Sequence, residues 1–356
     1  MHNLFTILSQ YVLPAVPVFA FLVILHEFGH FILAKAVGIR VDTFSIGFPP
    51  RLFGKKIGDT DYCVSAIPLG GYVKMAGMID ESMDKEGIKG EPDEFMSKPI
   101  WQRMLVIAAG PLFNILLTVL LISVIVFHQG IGQAVGPVIG NLMENSPAAQ
   151  AGLLPEDRIV RIDGQPIQTW EELSATIHQA KETPLLVEWE RGNELMQATI
   201  TPQYDQVQGY AVIGIQAKTV IVPVGGLWLA LKFGFVGTWE NAVLIVRSFG
   251  QLITGKLAFR ENIAGPVGIV RIIGETARMG FIPILSLTAI ISLSLGLINL
   301  FPIPALDGGH LLLLLGEGIK GKPFSVKIRL VWQQVGMALL LALMLFVIYN
   351  DVAKLF

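Results

Sequence analysis

"FLVILHEFGHFILAKAVGI", residues Phe21 to Ile39, has the apolar density of a membrane helix, yet its centre holds His26, Glu27 and His30. Ionisable groups at membrane depth are costly and usually mark function. The stretch His26-Glu27-Phe28-Gly29-His30 fits the pattern H-E-x-x-H. On a helix, residues four apart share a face, so both imidazoles reach one metal ion. Glu27, beside the first histidine, is then set to take a proton from an attacking water that zinc polarises. In a soluble protein, core histidines would be the ordinary explanation of such a match. Within an apolar span, packing does not account for three ionisable groups at this spacing.

The rest of the composition agrees with a membrane setting. Of 356 residues, 53% are hydrophobic and only 15% charged, and the mean hydropathy is +0.61. A chain this apolar is expected to cross a bilayer several times and to carry some aqueous domain. The net charge of −2 gives no reason to expect a nucleic-acid partner. A single cysteine, Cys63, excludes an internal disulfide and a cysteine-based zinc cluster. It reads as a buried thiol. "MHNLFTILSQ" has no lysine or arginine, and no small-residue cleavage site follows the apolar run. A retained first span is expected rather than a cleaved signal.

Four segments reach the required length of about 20 apolar residues: Val12–Val37, Met104–Phe127, Phe281–Leu300 and Val331–Tyr349. Val224–Phe249 is apolar but interrupted by Lys232, Glu240 and Arg247, and reads as an amphipathic, surface-lying helix. The region 223–270, with its glycines, is a candidate gate. Ten basic residues lie from Lys35 to Arg103, and Lys320, Lys322, Lys327 and Arg329 lie between the last two spans. The excess of positive charge places both loops in the cytoplasm. Both termini and the long segment from His128 to about Phe281 then face outside.

The cytoplasmic loop 41–100 contains "TDYCVSAIPLGGYVKMAG", which alternates and is rich in β-branched and aromatic residues. One or two hairpins are expected there, with Gly70-Gly71 as a turn. Asp80–Glu94 is charged and reads as an excursion from the hairpins. The strand edge around Val64 and Ala66 is a candidate for capturing an unwound substrate segment.

The outer segment has different punctuation. In "VGPVIGNLMENSPAAQAGLLPEDRIVRIDGQPI", Gly152 is placed to end a short helix in a left-handed conformation. Asp163-Gly164 marks a tight turn after a strand at Arg158–Ile162. A helix near Trp170–Ala180 and strands near Leu185–Glu190 and Leu195–Thr201 follow. Residues 135–203 thus resemble a PDZ domain of the protease-associated kind. Its peptide groove is expected along Val135, Gly136, Val138 and Ile139, although a spacer that grips nothing is the alternative.

The metal site needs a third protein ligand. Asp307, in "NLFPIPALDGGH", is the only acidic residue between Glu275 and Glu317, and two glycines after it allow close approach of the backbone. His310, three residues on, ranks second. With these residues in view, the chain resembles the site-2 proteases, intramembrane zinc metalloproteases, and most of all the bacterial regulator of sigma-E protease branch. The resemblance is carried by "HEFGH", "IPLGGYVKM" (Ile67–Met75), "AGPLFN" (Ala109–Asn114), "AGPVGI" (Ala264–Ile269) and "NLFPIPALDGGH" (Asn299–His310), in that order.

That resemblance implies zinc (Zn2+) held by His26, His30 and Asp307, with Glu27 as general base. It also implies supporting roles for Asn299, toward a substrate carbonyl or oxyanion, and for Pro302 and Pro304, which keep regular helix away from the ligand. Asn114, in the second span, either orients substrate or packs against the first span. The implied activity is regulated intramembrane proteolysis in a bacterial cytoplasmic (inner) membrane. The implied substrate is a single-span protein already cut outside, such as an anti-sigma factor, or a signal-peptide remnant. Enteric relatives carry two tandem PDZ domains, whereas this chain has room for one. The architecture expected is a polytopic α-helical membrane protein of about four spans, with a cytoplasmic β-hairpin region and one extracytoplasmic PDZ domain. A metal-ion transporter and a catalytically silent PDZ scaffold are the competing readings. The lack of an inverted repeat and the complete HExxH and Asp307 set weigh against them.

Overall fold

The computed structural model describes residues 8–79, 89–206, 209–257 and 264–354. A π-helical turn at Leu8–Val12 leads into α1 (Leu13–Ala36), which carries the HExxH stretch. Pro14 sits in its first turn, where a missing N–H costs nothing. Lys35 lies in its last turn, and Gly38, at φ +71°, takes the left-handed conformation that ends the helix.

Two long strands follow, β1 (Val41–Ile57) and β2 (Thr60–Met75). They fold into more than a hairpin. Val41–Ile46 pairs with 71–75 of β2 in the register Phe44↔Val73 and also with 61–64 in the register Phe44↔Tyr62. Residues 60–65 pair in turn with 51–57. Four short strand segments therefore lie side by side, and 71–75 forms an edge with no further strand beside it among the described residues. Val64, paired with both Ile46 and Phe53, is interior. Val64, expected together with Ala66 at a strand edge, thus lies inside the sheet, and an edge falls at 71–75 instead. Period-2 alternation tells which face a residue occupies, not which strand lies beside it. Of the charged excursion expected at Asp80–Glu94, residues 80–88 lie outside the described residues.

After a 3₁₀ turn at Phe95–Ser97 comes α2 (Ile100–Gln129). Buried Ala34, Ile39, Val41, Met75, Phe95 and Val106 join the end of α1, the strands and the start of α2 in one apolar cluster.

A second compact unit begins at the end of α2. It contains β3 (Ile131–Leu142), α3 (Pro147–Gln150), β4 (Arg158–Ile162), β5 (Gln165–Pro166), α4 (Trp170–Gln179), β6 (Leu185–Arg191) and β7 (Glu194–Ile200). It continues through β8 (Gln203–Asp205), β9 (Tyr210–Val212) and β10 (Ile215–Val222). The main sheet has the order β10-β3-β4-β6-β7, with β5 beside β4. A capping box, Thr169 with Glu172, starts α4, and Asp163-Gly164 turns with both φ angles positive. Ile139, Ile159, Leu173, Val187 and Trp189 fill its core. Because β10 pairs with β3 from Ile215↔Leu142 to Val222↔Ile131, this sheet runs from Ile131 to Val222. The boundary expected at 203 is moved accordingly.

The remaining helices are α5 (Leu227–Ile253), α6 (Pro266–Arg278), α7 (Phe281–Leu300), α8 (Asp307–Lys320) and α9 (Val326–Ala353). Lys232, Glu240 and Arg247 do not interrupt α5. Among the described residues five helices are long and apolar enough to cross a membrane: Leu8–Ala36, α2, α5, α7 and α9. By length and composition α5 is thus a candidate beside the four spans expected from sequence.

Within the first unit, α7 runs against α2. Thr118 Oγ1 donates to Ala289 O at 3.1 Å, Ser292 Oγ donates to Asn114 O at 2.9 Å, and Gly296 lies against Pro111 O. Three charged residues clasp α2, α8 and α9 at one end. Glu317, fully buried, accepts from Arg103 at 3.1 Å, from Arg329, and from the Phe324 main-chain N–H at 2.6 Å. Removing the central member of a buried ion cluster leaves its partners without compensation. Glu317→Ala strands two buried guanidinium groups and is expected to cost about 3–5 kcal/mol, seen as a lowered unfolding temperature of the detergent-solubilised protein. An unchanged transition would show that the clasp is not what holds these helices.

Candidate metal centre and active site

Helical periodicity brings His26 and His30 together on one face of α1, with ring centroids 4.9 Å apart and planes at 81°. Their Nε2 atoms are 3.2 Å apart. Asp307 reaches both: Oδ2 lies 3.1 Å from His26 Nε2 and Oδ1 lies 3.5 Å from His30 Nε2. These three residues form a group whose ligand atoms all lie within 4.8 Å of one another. His310 lines the same cavity but is not part of that group.

Asp307 arrives there because the chain is forbidden to remain helical before it. Pro302 and Pro304 interrupt the stretch between α7 and α8, and Ala305 adopts φ +70°, a left-handed conformation that costs an L-residue roughly 1–2 kcal/mol. Asp307 then opens α8, where a carboxylate also suits the positive helix end. The approach is tight: a Cβ at Gly308 would lie 2.1 Å from Phe301 O, and one at Gly309 2.2 Å from Ile303 O.

The donor set suits zinc, since two imidazoles and a carboxylate are a common protein complement for this ion. The space does as well. A Cβ on Gly110 of α2 would sit 2.3 Å from His30 Nε2 and 2.8 Å from His26 Nε2, so only glycine leaves the ligand atoms clear. His30 Nδ1 donates to Val106 O at 2.9 Å, which fixes the ring with the Nε2 lone pair turned toward Asp307.

Glu27, half-buried, lies one residue from His26. Its Oε2 accepts a hydrogen bond of 3.1 Å from the Val73 main-chain N–H. Glu27 is thereby tied to the 71–75 edge of β2. A cavity of about 730 Å³ joins these groups, lined among others by Glu27, Gly71, Val73, Asn299, Ala305 and Asp307. Gly70, at φ +152°, packs against Val23 of α1. Gly71 belongs to the cavity wall, whereas Val64, Ala66, Pro302 and Pro304 do not. Asn114 is fully buried, with Nδ2 3.3 Å from His26 Nδ1. The roles of Val73, Val106 and Gly110 had no local signal in sequence, because each depends on a partner many residues away.

The second unit has a cleft of its own, of about 400 Å³, lined by Leu173 and Ile177 of α4 and by Ile213, Gly214, Ile215 and Ala217. It therefore lies between α4 and β10, an edge strand. Val135, Gly136, Val138 and Ile139 are elsewhere, on β3, which has β10 on one side and β4 on the other. Ile139 is fully buried in the core. The residues expected to form the groove therefore lie on an interior strand, and the cleft runs along β10 instead. His178 borders the cleft, and burial pushes its imidazole below the ordinary value, so the cleft presents a neutral ring near neutral pH.

Helices of membrane-spanning length that enclose two histidines, a carboxylate and an adjacent glutamate define a membrane-embedded metallohydrolase. Residues 14–343 match the model of peptidase family M50, and the chain belongs to that family, the site-2 protease family. It is a zinc metalloprotease that cleaves within the membrane. The chain is 35% identical over 339 residues to a putative zinc metalloprotease of Clostridium acetobutylicum, covering 95% of this chain and 96% of that one. It is 29% identical over an alignment of 419 residues to the regulator of sigma-W protease RasP of Bacillus subtilis, covering 97% and 99%. Among solved structures, the PDZ domain of an SdrC-like protein from Listeria monocytogenes is 27% identical, with a TM-score of 0.21, over 22% of this chain and 84% of that domain.

Proposed function

We propose that His26, His30 and Asp307 hold the catalytic zinc and that Glu27 is the general base, acting on the transmembrane segment of a single-span protein. The observation that carries this reading is the convergence of the three ligand atoms beside Glu27, in a cavity bordered by a free strand edge. Zinc supplies the Lewis acidity that polarises a carbonyl and makes water nucleophilic near neutral pH. Glu27, steadied by the Val73 N–H, takes a proton from the attacking water and returns it to the leaving amine. Asn299, in the cavity wall, is placed to donate to the substrate carbonyl or the oxyanion. With purified protein and a model single-span substrate, Glu27→Gln is expected to keep its zinc and lose cleavage by more than a hundredfold, and a chelator is expected to stop the wild type. Loss of zinc along with activity in Glu27→Gln would assign Glu27 a structural role instead.

A transmembrane substrate is helical, with every amide already bonded internally, and must unwind before its carbonyl is attacked. Residues 71–75 offer it an edge to pair with. Val73 directs its N–H away from β1, so Gly71 and Met75, two residues either way, face outward with it. Proline is tolerated at an outward-facing edge position but donates nothing. Val73→Pro, which stiffens the edge and also removes the N–H that donates to Glu27, should retain zinc yet cut cleavage of a transmembrane substrate at least tenfold. Undiminished cleavage would rule out strand pairing at this edge.

Four spans, α1, α2, α7 and α9, account best for the packing of the first unit. Gly274 of α6 abuts Gln10 and Tyr11 at the entry to α1, and Arg278 lies 5.0 Å from the Tyr11 ring centroid. Asp351, at the end of α9, accepts from the Gly265 and Gly268 N–H groups at 2.9 Å each. The start of α1, α6 and the end of α9 thus share one side. A single crossing by α5 would leave α6 on the other, so we read α5 as not making one. The excess of basic residues supports a cytoplasmic HExxH-following loop, in a bacterial cytoplasmic membrane, with both termini and the second unit outside.

The second unit is read as a PDZ domain that limits access to substrates whose outer domain has been removed. The cleft between α4 and β10 supports this, since an edge strand beside a helix accommodates an added peptide strand. Anti-sigma factors fit the substrate class, given the regulatory name of the Bacillus subtilis relative. Deleting residues 131–222 should let the enzyme cut substrates that retain a bulky outer domain, in a co-expression cleavage assay. An unchanged substrate range would refute the sieve.

A further inference from the structure

The two histidines of α1 are supported differently. His30 Nδ1 donates to a carbonyl oxygen, Val106 O, at 2.9 Å, and a carbonyl accepts only. Its tautomer has no alternative. His26 Nδ1 instead faces the side-chain amide of Asn114 at 3.3 Å, a group that either donates or accepts depending on which end is presented. As placed, Nδ2 faces the ring, so Nδ1 must accept and Nε2 carries the hydrogen, 3.1 Å from Asp307 Oδ2. An Nε2 that bears hydrogen has no lone pair for a metal. At the other end of the amide, Asn114 Oδ1 is buried without a partner among the described residues, in a side chain that is 0% exposed.

We propose that Asn114 is the positioning residue of the metal centre: with its amide turned, Oδ1 accepts from His26 Nδ1–H and holds the Nε2 lone pair toward the metal. Oxygen and nitrogen of the amide are nearly the same size, so the half-turn needs no new volume. It gives Oδ1 the donor it lacks. It also makes the support of His26 equivalent to that of His30, each ring donating from Nδ1 to an oxygen on α2. Such outer partners fix the tautomer and basicity of a ligating imidazole, and their loss typically weakens metal binding 10–100-fold. The Asn114 main-chain oxygen is separately engaged by Thr118 and Ser292 hydroxyls at 3.0 and 2.9 Å. This leaves the side chain as the part that answers to His26.

The inference rests on His26 being a ligand, and the test separates the two claims. Zinc affinity of the purified full chain is measured by competition with a chromophoric chelator, and the ligand field by the visible absorption of the Co2+-substituted protein. Asn114→Leu should weaken zinc binding 10–100-fold and alter the Co2+ spectrum. Asn114→Asp, which can only accept, should bind within threefold of the wild type. Ser292→Ala, which removes a hydroxyl from the Asn114 main-chain oxygen, should leave affinity unchanged, separating helix packing from ligand support. Should Asn114→Leu fail to yield folded protein, Asn114→Ala against Asn114→Asp makes the same comparison. Wild-type affinity in the Leu or Ala variant, or an Asp variant as weak as either, would overturn the proposal. If His26→Ala itself leaves zinc affinity intact, the ligand assignment fails instead.

Discussion

A carboxylate and two imidazoles held inside apolar helices must find all their partners within the protein, because a bilayer offers none. That requirement shapes the surroundings of the site. His30 takes a main-chain oxygen of α2, His26 takes Asn114, and Asp307 takes both rings. To bring α2 near enough, the helices meet at glycines. A Cβ on Gly29 would lie 2.6 Å from Ala109 O, and one on Gly296 2.9 Å from Pro111 O. With lipid tails as apolar as leucine, close backbone packing and hydrogen bonds between helices replace the hydrophobic drive that organises a soluble core.

The same requirement explains why Asp307 comes from a break rather than from a span. A carboxylate in the middle of α7 would have to be placed by the helix alone, with the rest of that helix facing its neighbours. The Pro302–Leu306 break lets the chain turn before α8 begins, and irregular backbone at this depth is tolerated where it is buried in protein. Gly336 of α9 closes against the main chain of Pro304, where a Cβ would lie 2.2 Å from its carbonyl carbon. At the other end of α8, Glu317 is clasped by Arg103 and Arg329. Asp307 is thus fixed from both ends of its helix.

The chemistry was legible in the sequence and the strand pairing was not, for a physical reason. An ionisable group within an apolar run is conspicuous, and helical spacing converts His26 and His30 directly into a shared face. Asp307 could be found by elimination, as the sole acidic residue of a long apolar stretch. The chain around Val64 and Ala66 alternates convincingly, yet alternation gives faces and not neighbours. Only the folding of β1 against two parts of β2 leaves 71–75 at the edge. The misplaced groove has the same origin: β10 joins β3 across more than 70 residues, and no local pattern announces which of two strands will be outermost. In α5, three charges spread over a long apolar helix do not reveal from sequence whether the helix crosses the bilayer.

These two levels meet at one hydrogen bond. Val73 N–H to Glu27 Oε2, 3.1 Å, ties the strand edge to Glu27. A segment added along 71–75 would lie beside the carboxylate proposed as the general base. The helices place His26, His30 and Asp307, and the strands present an edge beside them. Because Val73 of that edge donates to Glu27, a displacement of β2 would also loosen Glu27. The position of the edge and the orientation of Glu27 are therefore a single geometric problem in this fold, solved by the Val73–Glu27 hydrogen bond and by packing Gly70 against Val23 of the helix that bears HExxH.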